Sequence, residues 1–89
     1  MRAIVTVIGK DHVGIIADVC AMLAKSNVNV LDISQTVLQD YFTMIMIVDA
    51  TDCKVPFAEL VKTLEADGKE LDLVIHAQRE DIFNAMHRI

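Results

Sequence analysis

The sequence is poor in the residues that mark several protein classes. It has 3 glycines and 1 proline in 89 residues, which excludes a collagen-like or low-complexity chain. Its 2 cysteines, Cys20 and Cys53, are too few and too far apart for a disulfide framework or a zinc site. No apolar run reaches the roughly 18 residues of a transmembrane helix, so we expect no membrane contact.

Positive charge is also scarce. Eight basic residues against thirteen acidic ones give a net charge of −5, which repels phosphate backbones and argues against nucleic-acid binding. Met1–Ile8 lacks the basic start and long apolar run of a signal peptide, so we expect a reduced, cytoplasmic protein. The length of 89 residues indicates one domain, and the hydrophobic content of 54% excludes an intrinsically disordered chain. Because so short a chain builds only a thin core, oligomerisation is a natural supplement.

Hydrophobic periodicity predicts four strands and three helices. β-branched runs that end at turn residues indicate strands, and apolar residues spaced by three and four indicate helices. The predicted order is strand Arg2–Ile8, loop Gly9–Gly14, helix Val13–Lys25, strands Val28–Leu38 and Tyr41–Asp49 joined by a turn at Gln39-Asp40, a helix opened by Pro56 and ended by Gly68, strand Leu71–Gln78 and a short helix Glu80–Ile89.

This order is the βαββαβ pattern of the α+β, ferredoxin-like fold. The fold has a four-stranded antiparallel sheet in the order 4-1-3-2, with both helices on one face. The two central strands are apolar on both sides, which leaves roughly 400 Å² of the other face for a partner subunit or the last helix to cover. We assign residues 1–79 to the domain and residues 80–89 to a helical extension of it.

The sequence lacks the residues that several other functions of this fold require. An RNA-recognition module needs aromatic side chains on its central strands, and this chain has only 1 tyrosine and 3 phenylalanines. A metal chaperone would carry C-x-x-C after the first strand, and an acylphosphatase-like enzyme would carry arginine there. The G-x-x-x-x-G spacing of Gly9–Gly14 is followed by Ile15-Ile16 instead of Lys-Ser/Thr, so it is not a phosphate loop. With no nucleophile–base pair and no metal cluster, we expect no enzyme, no metal and no cofactor.

The segment V-I-G-K-D-H-V-G-I-I-A-D-V, followed by S-N-V-N-V-L-D-I, resembles the ACT domain. The matching features are D-x-x-G at Asp11–Gly14 and Asn-Val at Asn29-Val30, and the likeness covers about residues 2–79. Small stand-alone ACT proteins are similar throughout. The resemblance implies a regulatory module that forms homodimers, with a higher oligomer left open, binds a small molecule such as an amino acid and modulates a partner protein whose identity is unknown. It implies ligand-binding positions at Gly9, Lys10, Asp11, His12, Val13, Gly14 and Asn29.

The physical chemistry of these positions agrees in part. A helix N-terminus attracts a carboxylate, and the amide of Asn29 both donates and accepts hydrogen bonds. In the predicted fold the Asp11 loop ends the first strand while Asn29 begins the parallel second strand. The two positions therefore lie at opposite ends of one subunit, and they meet only across two chains related by a two-fold axis.

Simpler roles stay open for the same residues. Asp11 or His12 fits the N-cap of the first helix, Gly14 fits helix–strand packing, and Asn29 fits the end of a turn. His12 also fits an ordinary exposed loop position. The alternative function is a ligand-free module for dimerisation and protein interaction.

Overall fold

The computed structural model describes residues 1–86, apart from the side chains of Phe83 and Met86. None of the helices in this part of the chain is long and apolar enough to cross a lipid bilayer. The elements are β1 Arg2–Lys10, α1 Ile15–Lys25, β2 Asn29–Leu38, β3 Tyr41–Asp49, α2 Phe57–Glu70, β4 Leu73–Arg79 and α3 Glu80–Met86.

The four strands form one antiparallel sheet in the order β2-β3-β1-β4. This is the order predicted from the sequence, and it confirms the ferredoxin-like fold. Asn29 of β2 and Arg2 of β1 both lie opposite Asp49, whereas Leu38 and Lys10 both lie opposite Tyr41. Because β3 runs between them in opposite sense, β1 and β2 are parallel to each other.

The core lies between the sheet and the helices α1 and α2. Alternate residues of the central strands point into it, since successive side chains of a strand face opposite sides. Among the described residues the buried set contains hydrophobic side chains only. Its most enclosed members are Leu23, Met44, Met46, Leu60, Leu64, Ile75, Val5, Val7, Val19 and Val48. Cys20, predicted to be a core residue, is half-buried against this cluster.

Gly68 does not end the second helix, which corrects the sequence prediction. The helix continues to Glu70, and Gly68 is buried inside it. A Cβ atom on Gly68 would lie 2.8 Å from both Cδ1 and Cγ1 of Ile75 and 3.1 Å from the carbonyl oxygen of Leu73. Gly68 therefore serves the close approach of α2 to β4. The turn that follows has its positive φ, 58°, at Asp72.

Other element ends shift by one to two residues. β1 extends through Gly9 and Lys10, which the sequence placed in a loop, and Leu71 lies in the turn before β4. A Cβ atom on Gly9 would lie 2.6 Å from Cδ2 of Leu73, so this glycine too permits close packing against β4. Of the predicted terminal helix, residues 80–86 are helical, and the predicted apolar position Ile89 lies outside the described residues.

The second face of the sheet, opposite α1 and α2, is called the open face below. Its outward residues lie at even positions of β1 and odd positions of β3, with their neighbours on β2 and β4. α3 contacts β1 and β4, and Nη2 of Arg2 lies 3.1 Å from Oε2 of Glu80. On the rest of the open face Ile8 and Ile45 are exposed, whereas Thr6, Thr43 and Ile47 are half-buried.

Candidate functional site

The loop between β1 and α1 lies beside the turn of the β2–β3 hairpin. The backbone N–H of Asp11 donates to the carbonyl oxygen of Asp40 at 2.8 Å. Nδ1 of His12 lies 3.2 Å from the carbonyl oxygen of Val13, and the side chain of Val13 is 100% exposed. The loop is thus fixed to the sheet at Asp11, and it presents its next two side chains to solvent.

Gly14 is the N-cap of α1, which corrects the assignment of that position to Asp11 or His12. Its φ is 91°, a left-handed conformation that a side chain strains, and its carbonyl oxygen accepts the N–H of Asp18 at 2.9 Å. Within the described residues no side chain caps this helix. A Cβ atom on Gly14 would meet only Oδ2 of Asp18, at 4.0 Å, so the space in front of the helix end is open.

Two substitutions distinguish these roles of Gly14 and Asp11. Gly14→Ala is expected to lower the free energy of unfolding by about 1–2 kcal/mol, because alanine is strained at this φ. Asp11→Ala is expected to change it by less than about 0.5 kcal/mol, since the side chain of Asp11 is not the cap. Urea unfolding followed by circular dichroism measures both. A larger loss for Asp11→Ala than for Gly14→Ala would restore Asp11 as the cap.

Asn29 lies at the other end of the sheet, in a polar cleft of about 470 Å³. The turn before it has Asn27 at a φ of 60°, and Nδ2 of Asn27 donates to the carbonyl oxygen of Asp52 at 3.0 Å. The cleft is lined by Ala24, Asn27, Val28, Asn29, Asp49 and Asp52, a lining that within the described chain includes two carboxylates and no basic side chain.

Asp49 is the most strongly hydrogen-bonded of the cleft carboxylates. The hydroxyl of Thr51 donates to its Oδ1 at 2.5 Å and the backbone N–H of Thr51 at 2.9 Å, and these bonds lower the pKa of Asp49 below its ordinary value. The ammonium group of Met1, 3.5 Å away, lowers the pKa further. The carboxylate stays charged at neutral pH, so the cleft favours a cationic group.

The structure does not bring the loop and Asn29 together within one chain. The seven predicted site residues divide into a continuous group, Gly9–Gly14, at the hairpin end and Asn29 at the opposite end of β2. The two ends of β2 are separated by the length of its ten residues, which is about 30 Å at 3.3 Å per residue. A site that contains both groups needs a second copy of the chain.

Sequence reasoning missed the acidic lining of the Asn29 cleft. Asp49 is the last residue of β3 and Asp52 lies in the turn after it, and their approach to the turn at Asn27 depends on how β3 lies beside β2. The segment D-A-T-D at residues 49–52, where the apolar strand ends, was the available signal. Among residues 1–86 no three His, Cys, Asp or Glu side chains are grouped closely enough to hold a metal ion.

Comparison with known proteins places this geometry among related chains. A family model described as the ACT domain matches residues 2–78. A UPF0237 protein of Listeria innocua is 51% identical over 89 residues, covering 100% of both chains. A solved ACT domain protein from Streptococcus pneumoniae superimposes with a TM-score of 0.84 at 46% identity, covering 98% of each chain. The regulatory subunit of aspartate kinase from Thermus thermophilus, in ligand-free form, has a TM-score of 0.65 at 26% identity, over 86% of this chain and 50% of that one.

Proposed function

Because this chain belongs to the ACT-domain family, a family of regulatory modules, we propose that it is a non-catalytic cytoplasmic regulator that binds an amino acid between two identical copies. The resemblance drawn from Asp11–Gly14 and Asn29-Val30 is confirmed by the family match. The amino acid, the paired assembly and the regulated partner are the proposal.

The free edge of β2 is the observation that carries it. β2 is an edge strand of ten residues, all exposed except the half-buried Val30. Ile33 and Val37 lie on the helix side, opposite the buried Met46 and Phe42 of β3, yet they are 36% and 52% exposed. A long edge strand with exposed apolar residues is a template for pairing with another strand. A second copy of β2 provides that strand and covers both residues.

Two-fold pairing of β2 with itself completes the site. When strands Asn29–Leu38 pair antiparallel over their full length, Asn29 lies opposite Leu38 of the second copy. The bond from Asp11 to Asp40 holds the β1–α1 loop of that copy beside the same hairpin end. The loop of one copy and the cleft of the other therefore adjoin, and the pair has two such sites.

The two halves suit opposite charges. The cleft supplies the carboxylates of Asp49 and Asp52, which attract an ammonium group. The loop supplies the ammonium group of Lys10 and the backbone N–H groups of the first turn of α1, which attract a carboxylate. An α-amino acid carries both charges a few ångströms apart. A ligand of so few atoms is expected to bind with micromolar to millimolar affinity.

Thermal unfolding in the presence of each standard amino acid tests the proposal. At about ten times Kd a ligand contributes roughly 1.4 kcal/mol, which raises the Tm of a domain this small by about 5–10 °C. Asn29→Ala is expected to abolish the rise. Asn84→Ala, the same substitution at an exposed position on α3, is expected to keep it.

The outcomes separate the proposal from its alternative. A chain that pairs through β2 but whose Tm responds to no amino acid is a dimerisation module without a ligand. A response that Asn29→Ala leaves intact places the ligand elsewhere on the molecule.

A further inference from the structure

We propose that the outer edge of β4 and the side of α2 beside it form a docking surface for another protein. The partner adds an extended, acidic segment to the sheet as a fifth strand. This surface lies at the opposite edge of the sheet from β2. It therefore goes beyond the proposed amino-acid site and does not depend on it.

A groove of about 440 Å³ lies between α2 and β4. Four exposed residues of α2, spaced by three and four, form its helix side, because such spacing places side chains on one side of a helix. On the strand side Val74 is 56% exposed. The exposed lining includes Lys62, Glu65, Ala66, Lys69, Val74 and His76.

β4 is an edge strand whose outer side has no partner strand in the described part of the chain. All seven of its residues lie opposite residues of β1. Since the N–H and C=O groups of an antiparallel strand point alternately to its two sides, about half of them point away from β1. An edge of this kind accepts the backbone of an added strand.

The charge of the groove favours an acidic partner. The chain has a net charge of −5, yet the groove has the ammonium groups of Lys62 and Lys69 against the single carboxylate of Glu65. Within residues 1–86 neither lysine lies within 4 Å of a carboxylate oxygen, so both are free to bind one. A second copy of β4 would bring the same two ammonium groups, and like charges oppose that pairing.

An added strand has different surroundings on its two faces. On the helix side its side chains meet Lys62 and Lys69, which are about 10 Å apart along the axis of α2. Side chains on one face of a strand repeat about every 7 Å, so two successive carboxylates are within reach of the two long lysine side chains. On the open face the added side chains lie beside Val74. The segment that fits therefore alternates acidic and apolar residues.

Titration of the full, isotope-labelled chain with a synthetic peptide of alternating glutamate and valine tests the surface by nuclear magnetic resonance. We expect the backbone amide signals of residues 62–69 and 73–79 to shift, with a Kd between about 10 µM and 1 mM. A peptide with lysine in place of glutamate is expected to bind at least about 10-fold more weakly. A glutamate–valine peptide with a central proline, which lacks an N–H, is expected to lose about as much.

Charge reversal at the groove separates docking from general attraction. Lys62→Glu combined with Lys69→Glu is expected to reverse the preference, so that the lysine–valine peptide binds more tightly than the glutamate–valine peptide. The control combines Lys25→Glu with Lys54→Glu. It changes the net charge equally, and Lys25 lies in the last turn of α1 as Lys69 does in that of α2. The control is expected to bind both peptides with the preference of the wild type.

Three results would overturn the docking surface. They are no binding of the glutamate–valine peptide at about 5 mM, amide shifts confined to other parts of the chain, and an equal loss of binding in the two double variants. None of them alters the expected rise in Tm with an amino acid. A chain whose Tm responds to no amino acid still binds the peptide, so the two proposals fail separately.

Discussion

A mixture of Asn29→Ala and Gly14→Asp chains is expected to bind the amino acid that neither variant binds alone. Each pair of identical variants lacks one half of both sites. A mixed pair contains one site with an intact loop from the Asn29→Ala chain and an intact Asn29 from the Gly14→Asp chain. Random mixing gives half mixed pairs with one good site each, so calorimetry is expected to find about one quarter of the wild-type sites.

The choice of aspartate at Gly14 makes the test selective. Aspartate tolerates the left-handed conformation better than most residues, and it places a carboxylate where the ligand carboxylate is proposed to bind. Gly14→Asn has the same shape without the charge and is expected to retain more affinity. If the mixture shows no binding of a ligand that the wild type binds, a site shared between two copies is contradicted. Binding by Gly14→Asp alone would place the ligand carboxylate elsewhere.

Gly68→Val is expected to lower the free energy of unfolding by about 2–4 kcal/mol. A Cβ atom at this position would lie 2.8 Å from the side chain of Ile75, and the branched side chain adds two more atoms there. Ile75 and Leu73 are 2% and 4% exposed, so neither has room to move aside. Overpacking of this kind usually costs about 1–3 kcal/mol, and a branched residue beside a strand backbone reaches the upper end or beyond.

A second valine substitution in the same helix isolates the packing effect. Ala66→Val lies at an exposed position of α2 and is expected to cost less than about 0.7 kcal/mol, the helix-propensity difference. Urea unfolding of both variants gives the comparison. If Gly68 acted only as a helix stop, Gly68→Val would cost no more than Ala66→Val.

Much of the fold could be predicted from hydrophobic periodicity, because each helix or strand buries one face and so repeats its apolar residues along its whole length. The run Tyr41–Asp49 was predicted to be a strand with the bounds that the structure has, since it is β-rich and follows the turn at Gln39-Asp40. The amphipathic pattern of Val13–Lys25 located α1 to within two residues at its start. The strand order followed from the βαββαβ pattern, and the apolar character of the two central strands agreed with it.

Contacts between distant residues were not predictable in the same way. Glycine after a helical pattern usually marks the end of a helix, and only the nearness of β4 shows that Gly68 lies inside one. Aspartate is a favoured N-cap residue, yet Asp11 is held against the hairpin by its backbone hydrogen bond to Asp40. The N-cap position of α1 is therefore occupied by Gly14. The presence of the two carboxylates in the cleft beside Asn29 depends on how β3 and the following turn lie beside β2. The placement of the predicted site residues at two ends of the sheet followed from topology alone.

Because the core is purely apolar, pH and ionic strength act on this protein at its surface. Among the described residues no ionisable side chain is buried, so no internal group must gain or lose a proton when the chain unfolds. Acidity and ionic strength therefore act mainly on the exterior carboxylates, on the proposed contacts between copies and on the proposed ligand. A change in either one is expected to adjust how the proposed pairs assemble and respond, while acid weakens the folded chain through surface carboxylates such as Asp49, whose pKa the hydrogen bonds from Thr51 lower.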